Sequence, residues 1–289
     1  MSREGSELSC LIKFRYGFRR LDGNRHAMFQ IPEKNSVYQS GFFMYSTIKR
    51  TILKVLPRSV LLRYENYFRF FHYLTYAGSK YQCNICKSGL KSFIALENGR
   101  LLCPRCGSNQ RARRLWKILE DEFLDSSTNI LHFSPSRALY RVLKQKQQTY
   151  VSSDLSDDFI SEQSYDITNI DAKNGSYDLI ICYHILEHVE NDREAIQEIW
   201  RVLETGGYCL IQTPFKEGDI YEDNTITKPE ERELHFGQSD HIRVYSVEGL
   251  KTRLQEAGFD VEVRNYSAAS DNMYGFREDE TVLICHKPK

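Results

Sequence analysis

The strongest chemical pattern in this 289-residue chain is a cysteine quartet: Cys83-Asn-Ile-Cys86, sixteen intervening residues, then Cys103-Pro-Arg-Cys106-Gly107. Two Cys-x2-Cys turns can place four thiolates at the corners of a tetrahedron, the geometry zinc takes in structural sites. Gly89 and Gly107, just after the two pairs, suit tight knuckle turns. A unit this small buries little apolar surface, so bound Zn²⁺ is expected to supply much of its folding free energy. A redox dithiol needs only one pair. Cys10, Cys182, Cys209 and Cys285 lie far apart, and the last three sit in apolar runs that read as core. Basic side chains follow the quartet closely, with Arg105, Arg111, Arg113, Arg114 and Lys117 around Trp116. Such a cluster suits phosphate binding or docking onto an acidic surface of the same chain.

An acidic surface is available. Residues 1–117 hold 22 Lys and Arg against 6 Asp and Glu, whereas residues 118–289 hold 17 against 33, so a net charge of zero conceals a basic front and an acidic back. Residues 1–43 show no sustained periodicity and receive no function. Residues 44–80 read as a basic helical arm: Ile48, Ile52, Leu53 and Leu56, then Leu61, Tyr64, Phe68 and Phe71, recur at helical spacing, and Pro57 divides the stretch into two helices. A basic helix with an aromatic face can lie on a bilayer surface or pack on its own protein. Residues 81–117 hold the quartet and the start of a basic helix, and residues 118–289 form the remaining domain. There, 130–133, 150–153, 177–182 and 208–212 read as strands. Residues 137–146, 192–203 and 247–257 read as helices, with Gly206-Gly207 and Gly258 ending the last two, and 259–266 and 281–286 as closing strands. Alternation of this kind specifies an α/β fold, a doubly wound, mostly parallel sheet with helices on both faces.

Recognition begins at Ser176-Tyr177-Asp178-Leu179-Ile180-Ile181-Cys182-Tyr183-His184-Ile185-Leu186-Glu187-His188-Val189 and continues through Arg201-Val202-Leu203-Glu204-Thr205-Gly206-Gly207. This text resembles the class I S-adenosylmethionine-dependent methyltransferases, in a subgroup bearing a zinc ribbon, over roughly residues 128–289. The resemblance implies a seven-stranded sheet that binds S-adenosyl-L-methionine at the carboxyl ends of its central strands. The glycines of the family's first turn fall on Ser134, Ser136 and Ala138, all small, while His132 stands where the family has an acid. That departure bears on cofactor contacts and on activity itself. Asp154, 20 residues past Ser134, matches the ribose-binding carboxylate, and Asp166-Ile167 matches the adenine contact. Only eleven residues separate Asp154 from Asp166, so the usual intervening helix is shortened or absent. Tyr183, His184, Glu187 and His188 fall beside the methyl group, with His184 or Glu187 able to take a proton from a hydroxyl acceptor. The insert after the fifth strand carries His235, Asp240, His241 and Arg243 within nine residues. In this fold such an insert commonly covers the acceptor, and His235 and His241 are further candidates for acid–base work.

These readings imply a methyltransferase acting on a hydroxyl or amine of a small polar or glycan-type acceptor. RNA gripped by the ribbon is the alternative partner, and a non-catalytic binding module that keeps the fold is the alternative class. No apolar run approaches the ~18–20 residues of a membrane span, and no signal-peptide pattern opens the chain. The expected location is cytoplasmic, with peripheral membrane contact through residues 45–77 in view.

Overall fold

A computed structural model describes residues 58–96, 99–147, 149–156 and 159–289, with side chains from Tyr64 onward. The first helix of the arm and residues 1–43 lie outside the described residues. Helix α1 (Arg58–Leu74) is the second half of the arm, and the chain turns at Thr75-Tyr76 into a strand instead of remaining helical to residue 80. Glu65 fixes the helix: it accepts from Arg69 at 2.8 Å and from Arg141 at 2.7 Å, with Arg137 3.5 Å away. Tyr67, Phe68, Phe71 and Leu74 stay exposed. No helix among the described residues is long and apolar enough to cross a membrane.

Two short hairpins follow. Strands β1 (Ala77–Gln82) and β2 (Gly89–Leu90) pair across the first Cys-x2-Cys turn. Strands β3 (Ile94–Ala95) and β4 (Leu101–Leu102) pair just ahead of the second. Helix α2 (Gln110–Ile118) starts where Asn109 accepts from the Ala112 amide, and it runs into a π-helical turn at Leu119–Phe123.

The main sheet is then laid down by β5 (Ile130–Phe133), α3 (Arg137–Lys146), β6 (Tyr150–Ser153), β7 (Tyr177–Tyr183), α4 (Asp192–Val202) and β8 (Leu203–Gln212). A small three-stranded sheet interrupts, built from β9 (Phe215–Lys216), β10 (Tyr221–Glu222) and β11 (Arg243–Ser246), with α5 (Pro229–Phe236) between the last two. Helix α6 (Val247–Glu256) leads to the closing hairpin β12 (Asp260–Ser267) and β13 (Asp279–His286). Strand order is β12-β13-β8-β7-β5-β6, with β6, β5, β7 and β8 parallel and β13 antiparallel to β8.

This sheet has six strands among the described residues, where seven were expected. The missing member is the edge strand beyond β6. The chain turns back at once after Asp154, makes a single parallel bridge from Gln163 to Ser153, and then a bridge between Asp166 and Asn169. Eleven residues leave no room for a crossover helix, and a parallel neighbour requires one. The second difference is at Gly206-Gly207, which lie inside β8 instead of ending the helix before it. Gly207 is required there because a Cβ would sit 2.8 Å from the Asp178 carbonyl.

The apolar core lies on both faces of the sheet. One cluster packs Leu131, Ile180, Cys182, Cys209 and Leu283 against Ile196 and Ile199 of α4 and Leu250 and Leu254 of α6. The other joins Ile130, Leu179, Ile181, Leu210 and Ile284 to Leu139 and Leu143 of α3, and continues through Leu115 and Trp116 of α2 to Cys83, Leu90, Phe93 and Cys103. The cysteine hairpins therefore share the core of the sheet, with no boundary at residues 117–118.

Arg113 locks this junction. It is fully buried and donates to the carbonyls of Ser108, Tyr274 and Gly275 at 2.6–2.7 Å and of Leu101 at 3.1 Å, beneath the face of Phe93. Truncating it leaves those carbonyls unsatisfied inside the protein, at roughly 1–3 kcal/mol each before relaxation. Arg113→Ala is expected to destabilise by at least about 3 kcal/mol, read as a fall in the urea midpoint. A shift below about 0.5 kcal/mol, the range of ordinary surface substitutions, would contradict this role.

Candidate functional site

The helices after β5 and β7 pack on opposite faces of the sheet, and in doubly wound sheets ligands bind at the carboxyl ends of strands whose connections diverge in this way. Both strands end in a non-glycine residue with left-handed backbone, Ser134 at φ +46° and His184 at φ +58°. Such backbones cost energy and persist where the surroundings over-determine them. Ser134 is held by its amide to the Ser153 carbonyl at 2.8 Å and by its hydroxyl to Asp154 Oδ1 at 2.6 Å. His184 is held by its amide to the Gln212 carbonyl at 2.7 Å. Both therefore tie a central strand to the end of its neighbour.

On the β5 side, Ser136 is the N-cap of α3, has no side-chain capping bond, and keeps a buried, unpartnered hydroxyl, while Ala138 is buried in the first turn. The turn is closed by Asp154, 3 % exposed, which also accepts from Ser156 at 3.0 Å and the Phe159 amide at 3.3 Å. His132 is 2 % exposed and bonds Tyr150 at 3.2 Å through Nδ1. Burial pushes its imidazolium down to about 3, so it is neutral at physiological pH. Asp166 is exposed and accepts from the amide and hydroxyl of Thr168 in an Asx turn, whereas Ile167 is buried in the core.

His132 also sets a pH dependence. Its folded pKa lies below the unfolded value of 6.5, so the unfolded chain binds the extra proton between the two. Stability from this group is full above pH 6.5 and falls as pH drops toward 3, by at most about 1.4 kcal/mol per unit. A His132→Leu/Tyr150→Phe protein, which removes both partners, is expected to lose less stability between pH 7 and pH 5 than the parent. Parallel urea midpoints for the two proteins would refute this.

On the β7 side, His184 Nδ1 lies 2.9 Å from Glu187 Oε1. Burial lowers the pKa of His184, and the hydrogen bond from His184 holds Glu187 below the usual carboxylate range although burial opposes it. The insert reaches the same place. The Ile242 amide donates to the Glu187 carbonyl at 3.0 Å, and buried Arg243 donates to the carbonyls of Leu186, Val189 and Glu190. Arg243 is thus consumed in anchoring the insert. His241 is buried there, and Asp240 lies 3.3 Å from His188. His235 is elsewhere, exposed and bonded to Tyr221 at 2.8 Å.

Sequence reading missed a third wall. Glu280, at the start of β13, is 5 % exposed with neither carboxylate oxygen hydrogen-bonded, and Arg114 Nε lies 4.0 Å away. Burial raises its pKa. Arg114 stacks on Phe276 at 4.0 Å and donates to the Ser267 carbonyl at 2.9 Å. Burial pulls neighbouring Arg111 down to about 10. Two of the five basic residues after the quartet, Arg113 and Arg114, therefore face inward. Among the described residues, fourteen buried side-chain nitrogens and oxygens lack a hydrogen-bond partner. Nine of them belong to Ser136, Tyr183, His184, Glu187, Gln212, Thr213, Tyr266 and Glu280, at the carboxyl edge of the parallel strands or on the hairpin ends beside it. Buried polar atoms left unpaired are costly, and their concentration at one edge marks a surface shaped for a polar ligand.

The model of a family described as a methyltransferase domain matches residues 109–263, more than half of the chain. The chain belongs to that family. It is an S-adenosylmethionine-dependent methyltransferase. Similar solved structures include a candidate methyltransferase from Bacillus halodurans C-125, at 15 % identity and TM-score 0.44, with 61 % of this chain and 99 % of that one covered. An S-adenosylmethionine-dependent methyltransferase from Thermotoga maritima shares 16 % identity at TM-score 0.42, with 60 % and 87 % covered. Phosphoethanolamine N-methyltransferase 2 of Haemonchus contortus, in complex with S-adenosyl-L-methionine, shares 14 % at TM-score 0.43, with 61 % and 52 % covered. No curated protein matches the chain.

The quartet brings its four sulfurs within 4.8 Å of one another, with Cys83–Cys106 at 3.6 Å and Cys86–Cys103 at 3.7 Å. Zinc–sulfur bonds of about 2.3 Å in a tetrahedron set sulfurs about 3.8 Å apart, so the donor set fits Zn²⁺. The two turns are alike. Each first cysteine amide donates to the carbonyl of the serine five residues on, Ser88 or Ser108. The residue after each second cysteine, Lys87 or Gly107, has positive φ.

Proposed function

We propose that this methyltransferase acts on a hydroxyl or amine of a small polar, sugar- or glycan-type acceptor, with His184 as the base for a hydroxyl. The observation that carries the reading is the set of unpartnered polar atoms at the carboxyl edge, and His184 Nε2 among them. With Nδ1 bonded to the Glu187 carboxylate, the neutral ring carries its proton there and its lone pair on Nε2. S-adenosylmethionine, when bound, supplies a methyl carbon activated by a sulfonium. The chain's part is to align the acceptor, exclude water and receive the hydroxyl proton at Nε2. In this reading Asp154 holds the ribose, Asp166 and Ile167 border the adenine, and the Ser134–Ala138 turn takes the methionine end beside Tyr183. His132 serves this turn from beneath as a neutral core residue. The insert reaches the acceptor side through His241, and Glu280, Arg111 and Arg114 line the acceptor's polar face. Zinc in the quartet is structural, since four thiolates leave no open position.

The test is production of S-adenosylhomocysteine with sugar, polyol, amine and RNA acceptors. A small acceptor is expected to support turnover with little salt dependence. His184→Gln should lower that turnover at least tenfold, within the range of general-base effects, and leave cofactor affinity within about threefold, roughly 0.7 kcal/mol. Turnover on RNA alone, falling steeply with salt as counterion release requires, would replace this reading.

A further inference from the structure

We infer that Glu187, His188 and His241 form a binding site for a divalent first-row transition cation, separate from the cysteine quartet. One donor atom from each of the three lies within 4.8 Å of the others. The three come from a 3-10 turn after β7 (Leu186–His188) and from the end of the insert 53 residues later, which the Ile242–Glu187 backbone bond and the Arg243 anchor hold together.

Each side chain is already oriented by a second group that leaves one donor over. Glu187 is 1 % exposed: its Oε1 is engaged by His184, and its buried Oε2 has no hydrogen-bond partner. His241 is 5 % exposed, and its Nδ1 donates to the Phe236 carbonyl at 3.2 Å, which leaves a lone pair on Nε2. His188 Nδ1 lies 3.3 Å from Asp240 Oδ2, which leaves Nε2 as the nitrogen turned to a cation. A ligating histidine characteristically gives its second ring N–H to a carbonyl or carboxylate, which fixes the tautomer and strengthens the donor. His241 does so to the Phe236 carbonyl, and His188 Nδ1 lies within ion-pair distance of the Asp240 carboxylate. The two rings meet edge to face at 4.6 Å between centroids. Ligand bonds of about 2.0–2.2 Å place adjacent donors about 3 Å apart. His188, the least buried of the three with 30 % of its side chain exposed, is the member whose rotation would close the set around an ion.

The chemistry of the donors selects the ion. Two imidazoles and one carboxylate suit Mn²⁺, Fe²⁺, Co²⁺ or Zn²⁺, and an all-oxygen set would be needed to favour Mg²⁺ or Ca²⁺. Three protein ligands leave positions open, unlike the closed quartet. The site adjoins His184, so an oxygen of the acceptor would be its natural further ligand. Cation binding itself stands apart from the identity of the acceptor.

The test uses the full chain with zinc in the quartet and Mn²⁺ as the probe, since thiolates discriminate against manganese. Titration followed by the loss of the free-ion electron paramagnetic resonance signal is expected to show about one bound Mn²⁺ per chain, as a three-ligand site requires. Pulsed spectra should show hyperfine coupling to two imidazole nitrogens. His188→Ala should weaken binding at least tenfold and leave coupling to one nitrogen. Asp240→Asn, which removes the charge beside His188 and keeps an amide oxygen to accept from Gln238, should weaken binding about tenfold, the low end of such effects. Glu187 and His241 are buried, so Glu187→Gln is read together with a thermal melt, and the variant at the less buried His188 decides if that protein is unfolded. Absence of Mn²⁺ binding in the parent, binding unchanged in His188→Ala, or no nitrogen coupling would each overturn the site. None of these measurements involves methyl transfer, so failure here leaves the acceptor reading intact.

Discussion

Cys103→Ser is expected to abolish the zinc binding proposed for the quartet and to destabilise the whole domain, not the hairpins alone. The reason is the shared core. Cys103 itself, with Leu90 and Phe93, packs in one continuous cluster with Trp116, Ile181, Leu210 and Ile284. Arg113 binds the second cysteine turn to the loop between β12 and β13. Structural zinc contributes apparent free energies of about 10–16 kcal/mol in isolated fingers, of which the larger fold recovers part. A loss of at least about 3 kcal/mol would lower the melting temperature by about 6–12 °C in a domain of this size. Cofactor affinity should fall in parallel at temperatures near the new midpoint. Metal analysis and calorimetry on the same samples check both points. A variant without zinc that melts and binds cofactor like the parent would show that the hairpins are a passive appendage.

Where the hydrophobic period was strong, local reading placed the elements closely. Strands 130–133 and 150–153 and helix 137–146 coincide with β5, β6 and α3. Each has both a clear apolar period and a bounding turn. Helix α5 carries its signals in the sequence. Pro229 at its first position, Glu230 and Glu231 in the first turn, and left-handed Gly237 at its end are ordinary helix signals. An eight-residue segment with exposed Leu234 gives little periodicity to support them.

The site was legible only in part. The family text points to His184 and Glu187 as candidates, and the insert reads as a unit. It could not show that His235 bonds Tyr221 away from the edge while His241 meets His188, because that division depends on where α5 turns. Glu280 gave no local signal, since a carboxylate at the start of a strand reads as solvated. Its burial arises only when β13 inserts beside β8 and Arg114 closes over it. Arg113 and Arg114 read as a phosphate-binding surface for the same reason. Their charge is visible in sequence, but the carbonyls that consume it lie about 160 residues away.

Asp154→Asn is expected to weaken S-adenosylmethionine and S-adenosylhomocysteine binding between about tenfold and several hundredfold. Loss of one charge-assisted hydrogen bond, at roughly 1.5–3 kcal/mol and 1.4 kcal/mol per factor of ten, gives about tenfold to a hundredfold, and partial loss of a second extends the upper end. The carboxylate has two roles in the proposed cofactor site. In that proposed site it accepts the ribose hydroxyls, and it holds the strained Ser134 turn through a 2.6 Å bond to its hydroxyl. Ser134→Ala separates the two contributions, because it removes the tether and keeps the carboxylate. If ribose binding dominates, Ser134→Ala should cost less than about fivefold, or roughly 1 kcal/mol. If the turn dominates, the two variants should lose affinity equally. Ser134→Gly adds a third comparison, since glycine takes positive φ without strain and should restore part of the folding stability that the serine backbone costs. Calorimetric titration of the three variants with both cofactor forms needs no acceptor. Unchanged affinity in Asp154→Asn would move the ribose contact off β6, and the cofactor map built on the β5 and β6 termini would fall with it.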